Sequence, residues 1–146
     1  MKKLVILIVL GTLSLLSHAQ EIPIIILDQL DNNSDTLYYP TGEVFATYTI
    51  VDMIDGNIIE CRSYYKNGSL KEIGSYNSYG EKIGKWKSWW ETGEIQSEAS
   101  YHQDIRHGEW KFYTEAGLLY SQVEYRRGKL KEGVFYDETR GLLVKN

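Results

Sequence analysis

The chain lacks most of what announces an enzyme, a metal site or a disulfide scaffold. Cys61 is the single cysteine in 146 residues, so no intramolecular disulfide can staple the fold. Histidine is nearly as scarce, with only His18, His102 and His107. His102, Asp104 and His107 form a His-x-Asp-x-x-His spacing that matches no established zinc pattern and fixes no third strong ligand. A polar hairpin turn accounts for that spacing. No Ser/His/Asp or Cys/His arrangement, no Gly-rich phosphate loop and no pair of carboxylates pinned to one site is found. The sequence therefore assigns no catalytic residue, no metal site and no cofactor, and the chain is read as not an enzyme. From Val44 onward no long stretch follows the 3.6-residue apolar period, which excludes long amphipathic helices.

Long apolar runs and excess positive charge are also missing, with one exception at the start. Met1-Lys2-Lys3 is followed by an apolar stretch from Leu4 to Leu16 and then by Ser17-His18-Ala19-Gln20. A basic segment, an apolar core and a small-x-small site are the three parts of a secretory signal peptide, cut after Ala19. The apolar core is short against the roughly 20 residues that span a bilayer. No cysteine stands directly after it, among Ser17 to Gln20, to carry a lipid anchor. The expected organisation is a signal peptide at 1–19, an apolar segment and linker at 20–34, and one repeat domain at 35–146. Such a protein is exported to the periplasm, the outer surface or the medium, with no integral membrane segment after cleavage. The full chain carries a net charge of −4, and loss of Lys2 and Lys3 makes it more acidic still. This argues against nucleic acid and against an anionic lipid surface.

What the chain does have is aromatic residues and glycine: 12 Tyr, 4 Trp, 3 Phe and 13 Gly against 2 Pro. Tyr, Trp and Phe suit a pleated, half-buried surface, and they recur with a fixed period. Tyr38-Tyr39-Pro40-Thr41-Gly42, Tyr64-Tyr65-Lys66-Asn67-Gly68, Trp89-Trp90-Glu91-Thr92-Gly93 and Tyr113-Thr114-Glu115-Ala116-Gly117 place glycines 26, 25 and 24 residues apart. Gly84-Lys85-Trp86, Gly108-Glu109-Trp110 and Gly133-Val134-Phe135 keep the same spacing, as do Tyr76, Tyr101 and Tyr125. Gly141-Leu142-Leu143 echoes Gly117-Leu118-Leu119 as a partial copy. Three series with one period mean a repeat array.

Each copy divides into two strands around its glycine turn. In the outgoing strand Ile95, Ser97, Ala99 and Tyr101 share a face opposite Gln96, Glu98 and Ser100. Leu119, Ser121, Val123 and Tyr125 repeat the pattern, as do Leu70, Glu72, Gly74 and Tyr76. Alternation with one polar face describes antiparallel hairpins, and seven to nine strands are expected between about Asp35 and Val144. In the incoming strand Trp86, Ser88 and Trp90 share a face, as do Trp110, Phe112 and Thr114. Cys61, Ser63 and Tyr65 stand in the same places one copy earlier, so Cys61 reads as a small buried apolar residue. Tyr64, Trp89 and Tyr113 fall opposite, among Lys85, Lys87, Glu109 and Lys111.

The segments from Gly84 to Gly93 and from Gly108 to Gly117 resemble the bacterial MORN-repeat variant, with Tyr101 to Trp110 the best single match. The resemblance runs from about Tyr38 to Leu143. It implies an all-β fold, an elongated single-layer antiparallel meander of MORN-like hairpins. Relatives of this kind are often labelled antitoxin-like (YwqK-type), which implies a toxin as partner. The residues themselves suggest a scaffold sheet for a protein partner at the cell envelope, since a single layer cannot bury both of its faces. Self-association through the sheet edges is a further expectation. As an alternative, Trp89, Tyr113 and Tyr64 form a ladder that stacks on the sugars of a cell-wall polymer.

Overall fold

The computed structural model describes residues 34–52, 58–137 and 142–145, and all secondary structure there is strand. The strands are β1 (Ser34–Tyr38), β2 (Val44–Asp52), β3 (Ile58–Tyr64), β4 (Leu70–Tyr76), β5 (Lys82–Trp89) and β6 (Ile95–His102). They continue as β7 (Ile105–Arg106), β8 (Gly108–Tyr113), β9 (Leu119–Arg126), β10 (Lys129–Asp137) and β11 (Leu142–Lys145). Ten of them pair in chain order into one open antiparallel sheet from β1 to β11, and the two-residue β7 pairs with β6 beside that path. The count exceeds the seven to nine expected. Backbone pairing does not require the repeat signature, so the degenerate first and last copies still form strands, and β7 is too short to leave a pattern. The proposed signal peptide and nearly all of the 20–34 segment lie outside the described residues. Ser34 already belongs to β1.

The turns explain the period. Tyr65 N donates to Ser69 O at 2.9 Å and Gly68 N to Tyr65 O at 2.9 Å. The same two bonds close the turns at 39–43, 77–81, 90–94 and 114–118. The closing glycine needs a positive φ, +97° at Gly93 for example, which an L side chain adopts only with strain. After the turns that end β1, β3, β5 and β8 the register slips by one residue, at Tyr38, Tyr64, Trp89 and Tyr113. These slips are bulges, and they re-aim the side chains next to each turn.

One layer buries its aromatic face by alternating large and small residues across strands. Tyr48 faces Cys61, Cys61 faces Gly74, Trp86 faces Ala99, Trp110 faces Val123 and Val123 faces Gly133. A Cβ added at Gly74 would lie 2.0 Å from Trp86 Cδ2, so the indole lies flat across the next strand where no side chain stands. That is how Trp86 reaches 2 % exposure in a single layer. Ala46, Ile59 and Tyr76 complete this core with Tyr48, Cys61, Trp86, Ala99, Trp110 and Val123.

Candidate binding surface

Two ladders run across the strands. The first lies along the uniform turn margin. Tyr39 Oη donates to Tyr64 O at 2.9 Å, Tyr65 Oη to Trp89 O at 2.8 Å and Trp90 Nε1 to Tyr113 O at 3.1 Å. The second aromatic of each pair therefore caps the carbonyl of the first aromatic one copy later. Thr114 replaces an aromatic in the fourth copy, and the ladder stops there. Each bond gives a strand-end carbonyl a side-chain donor from the preceding copy.

The second ladder runs along the middle of the aromatic face. Tyr76, Trp86, Tyr101, Trp110 and Tyr125 meet edge to face, with successive centroids 5.0, 6.2, 5.0 and 5.4 Å apart. Two cations are set into it. Lys82 Nζ lies 3.8 Å from the Trp86 ring centroid and 5.3 Å from that of Tyr101, and it pairs with Glu72 at 3.3 Å. Arg106 lies 5.3 Å from the rings of both Trp110 and Tyr125, and its Nη1 donates to Tyr125 Oη. Such cation–π contacts contribute about 0.5–1 kcal/mol where exposed and about 2 when desolvated.

This repeated geometry is reflected in the family comparison: the model of the MORN repeat variant matches residues 59–78, 82–103 and 106–127. Three MORN repeat variants are present. No curated protein matches the chain. The MORN units cover β3 to β9, and the flanking strands extend the same sheet beyond them. MORN repeats are generally found in binding or scaffold proteins.

Within the MORN units the residues singled out from sequence divide by role. Gly42, Gly68, Gly93 and Gly117 close the uniform turns. Gly84 and Gly108 take φ of +68° and +66° where the strands bulge. Trp86 and Trp110 are buried, Tyr76 nearly so, and Tyr101 and Tyr125 are half-buried, all in one continuous ladder. Tyr64, Trp89 and Tyr113 are half-buried at equivalent positions on alternate strands. Their carbonyls are committed to the turn ladder, and Tyr113 Oη also donates to Glu98 Oε2 at 3.1 Å. Lys87 holds the Glu98 carboxyl below the usual carboxylate range through its hydrogen bond. Tyr64, Trp89 and Tyr113 are thus only partly exposed, and they take part in holding the sheet.

Three expectations about side chains are revised or sharpened. Trp86 and Trp110 are buried and Trp89 and Trp90 half-buried, and among the described residues the large exposed apolar side chains are Tyr38, Val51, Tyr79, Ile105, Leu118, Tyr120, Leu130 and Tyr136. Asp104 Oδ1 accepts from Lys82 N at 2.8 Å while Asp104 N donates to Lys82 O, so this carboxylate joins two turns, with His102 and His107 exposed beside it. Among the described residues no group of three His, Cys, Asp or Glu side chains could hold a metal ion. Cys61 is buried, and burial pushes its thiol up to about 11.

Sequence reasoning missed both the turn ladder and the cations. Signals were there: the aromatic doublet persists in three copies and fails at Thr114, and Lys82 and Arg106 each stand two residues before a repeat glycine. The polar face carries a half-open groove of about 380 Å³ beside Glu109, Glu124 and Glu132. Lys111 pairs with Glu109 and Arg126 with Glu124 there.

Proposed function

We propose that this is an exported, non-catalytic scaffold protein that uses its MORN-repeat sheet to hold a protein partner at the cell envelope. The observation that carries this reading is the spending of nearly all tryptophan chemistry on the sheet itself. A platform so rigidly packed suits presentation of a surface, and MORN repeats generally occur in binding or scaffold proteins. Export rests on the n-region, apolar core and small-x-small site at 1–19. No helix among the described residues is long and apolar enough to cross a membrane.

The test is affinity capture from envelope extract with the tagged protein, beside a Trp89→Ala, Tyr113→Ala variant. A protein recovered at near-equal amount with the native chain, and lost with the variant, supports the reading. Recovery of wall fragments without a protein contradicts it. That second outcome would favour sugar stacking, for which the equivalent half-buried rings of Tyr64, Trp89 and Tyr113 are the supporting observation. Amino-terminal sequencing of the purified protein checks export, which predicts a start at Gln20.

A further inference from the structure

The two margins of the sheet, where the turns lie, carry opposite charge. The uniform turns at 39–43, 65–69, 90–94 and 114–118 hold four carboxylates, Glu43, Glu91, Glu94 and Glu115, against one cation, Lys66. All four glutamates are exposed. The described residues of the other margin, Asp52 at the end of β2 and the turns 77–82, 102–107 and 126–131, hold Lys82, Arg106, Arg126, Arg127, Lys129 and Lys131 against Asp52, Glu81 and Asp104. Among these described residues the net charge is therefore −3 on one side and +3 on the other. Strands of six to nine residues separate the margins, or about 20–30 Å at about 3.3 Å per residue. That exceeds the Debye length of about 10 Å at 0.1 M salt, so at that ionic strength the two margins do not cancel each other within one molecule.

The basic margin is also built rather than loose. Gln103 and Asp104 on one side, and Arg127 and Gly128 on the other, take positive φ in two-residue turns. Gly128 N donates to Arg106 O at 3.0 Å, which joins the two turns. Leu130 faces Tyr125 in the register position that Arg106 and Lys82 fill in the preceding copies. Leu130 is 53 % exposed and Ile105 47 %. Two exposed apolar side chains thus stand in the same joined turns as Arg106, Arg127 and Lys129. The acidic margin has matching parts: Leu118 is 68 % exposed beside Glu115, and Tyr38 is 61 % exposed near Glu43.

We propose that the basic margin of one molecule docks the acidic margin of a second copy of this chain, so that sheets align side by side. The contact pairs Arg127, Lys129 and Lys131 with Glu91, Glu94 and Glu115 and sets Leu130 and Ile105 against Leu118. Because the two surfaces differ, the contact is heterologous and each docked pair keeps one free margin of each sign, one on either copy. It builds open rows rather than a closed dimer. Exposed ion pairs are individually weak and screened by salt, so the rows form at high local concentration and low ionic strength. This inference does not depend on export or on the identity of another partner.

The experiment is sedimentation velocity of the purified protein over a concentration series, at about 0.01 M and about 1 M salt, where the Debye lengths are about 30 and 3 Å. Two charge-reversed variants accompany it, one with Arg127→Glu, Lys129→Glu and Lys131→Glu, the other with Glu91→Lys, Glu94→Lys and Glu115→Lys. Circular dichroism verifies that both fold. The native chain should grow in sedimentation coefficient with concentration at low salt only. Each variant alone should stay monomeric, since its two margins then carry one sign. Mixing the variants should restore assembly. A native chain that stays monomeric at low salt, or a basic-margin variant that assembles alone, overturns the proposal. So does a mixture that fails to assemble. Binding of the native chain to an added acidic peptide or anionic vesicle, without self-assembly, would assign the basic margin to another partner and also overturn it.

Discussion

The two margins of this sheet are built from the same strands and yet differ in regularity. On one, the four turns closed by Gly42, Gly68, Gly93 and Gly117 repeat the same two backbone bonds, and three side-chain donors tie each copy to the next. On the other, a five-residue turn at 77–81 gives way to two-residue turns at 103–104 and 127–128. The difference shows where the fold places its constraints. A turn whose neighbours donate into it must keep its length, its glycine and its aromatic. A turn outside that ladder can change length and gather charge, and the segment from Arg126 to Lys131 does both.

The largest effect expected along this comparison lies in the aromatic column next to the varied margin. Trp110→Ala removes a buried indole that contacts Tyr101, Phe112 and Tyr125, and urea unfolding should report a loss of about 3–5 kcal/mol. Arg106→Ala, which removes the cation over Trp110 and Tyr125 and an exposed hydrogen bond to Tyr125 Oη, should cost about 1–2 kcal/mol. Equal losses would mean that the cation rather than the indole organises this side.

Next in size is an effect of pH on the first copies. The buried Cys61 thiol is pushed up to about 11, above the unfolded value of about 8.5. Above that unfolded value the unfolded chain releases the proton first. Stability is therefore retained below about pH 8.5 and falls as pH rises toward 11. Between pH 8.5 and 10 the loss should approach about 2 kcal/mol at about 1.4 kcal/mol per unit, and Cys61→Ala should abolish that slope. The comparison must be made on slopes, since removing the sulfur also changes packing.

The uniform margin should yield smaller losses. Gly93→Ala meets no atom within 4 Å, so only the left-handed φ opposes it, at about 1–2 kcal/mol. Tyr65→Phe deletes one hydroxyl and with it the bond to Trp89 O, at about 1 kcal/mol. Either change should be felt as a lower urea midpoint with little change in slope.

Much of this was legible in the residues themselves. The period, the turn glycines and the face shared by Ser97, Ala99 and Tyr101 follow from spacing and alternation, and they carried the all-β meander correctly. The turn ladder was not legible, because a bond from Tyr65 Oη to Trp89 O depends on a register that spacing alone does not supply. Burial of Trp86 was likewise hidden: it rests on Gly74 standing opposite, a fact of cross-strand pairing. The segregation of charge vanished in the net value, since acidic and basic turns alternate along the chain while lying on opposite sides of the sheet. Of the candidate site, Tyr64, Trp89 and Tyr113 were placed on equivalent strand ends, but their carbonyl bonds to the preceding copy were not foreseen.

The most direct test of the division between a constrained and a variable margin is a paired urea titration. It compares Tyr65→Phe with the triple change Arg127→Glu, Lys129→Glu, Lys131→Glu at about 1 M salt, where exposed charges are screened. The account predicts a clearly lower midpoint for Tyr65→Phe and a native midpoint for the triple variant. A triple variant that unfolds as early as Tyr65→Phe, or earlier, would contradict it, because the basic margin would then be part of what holds the sheet together.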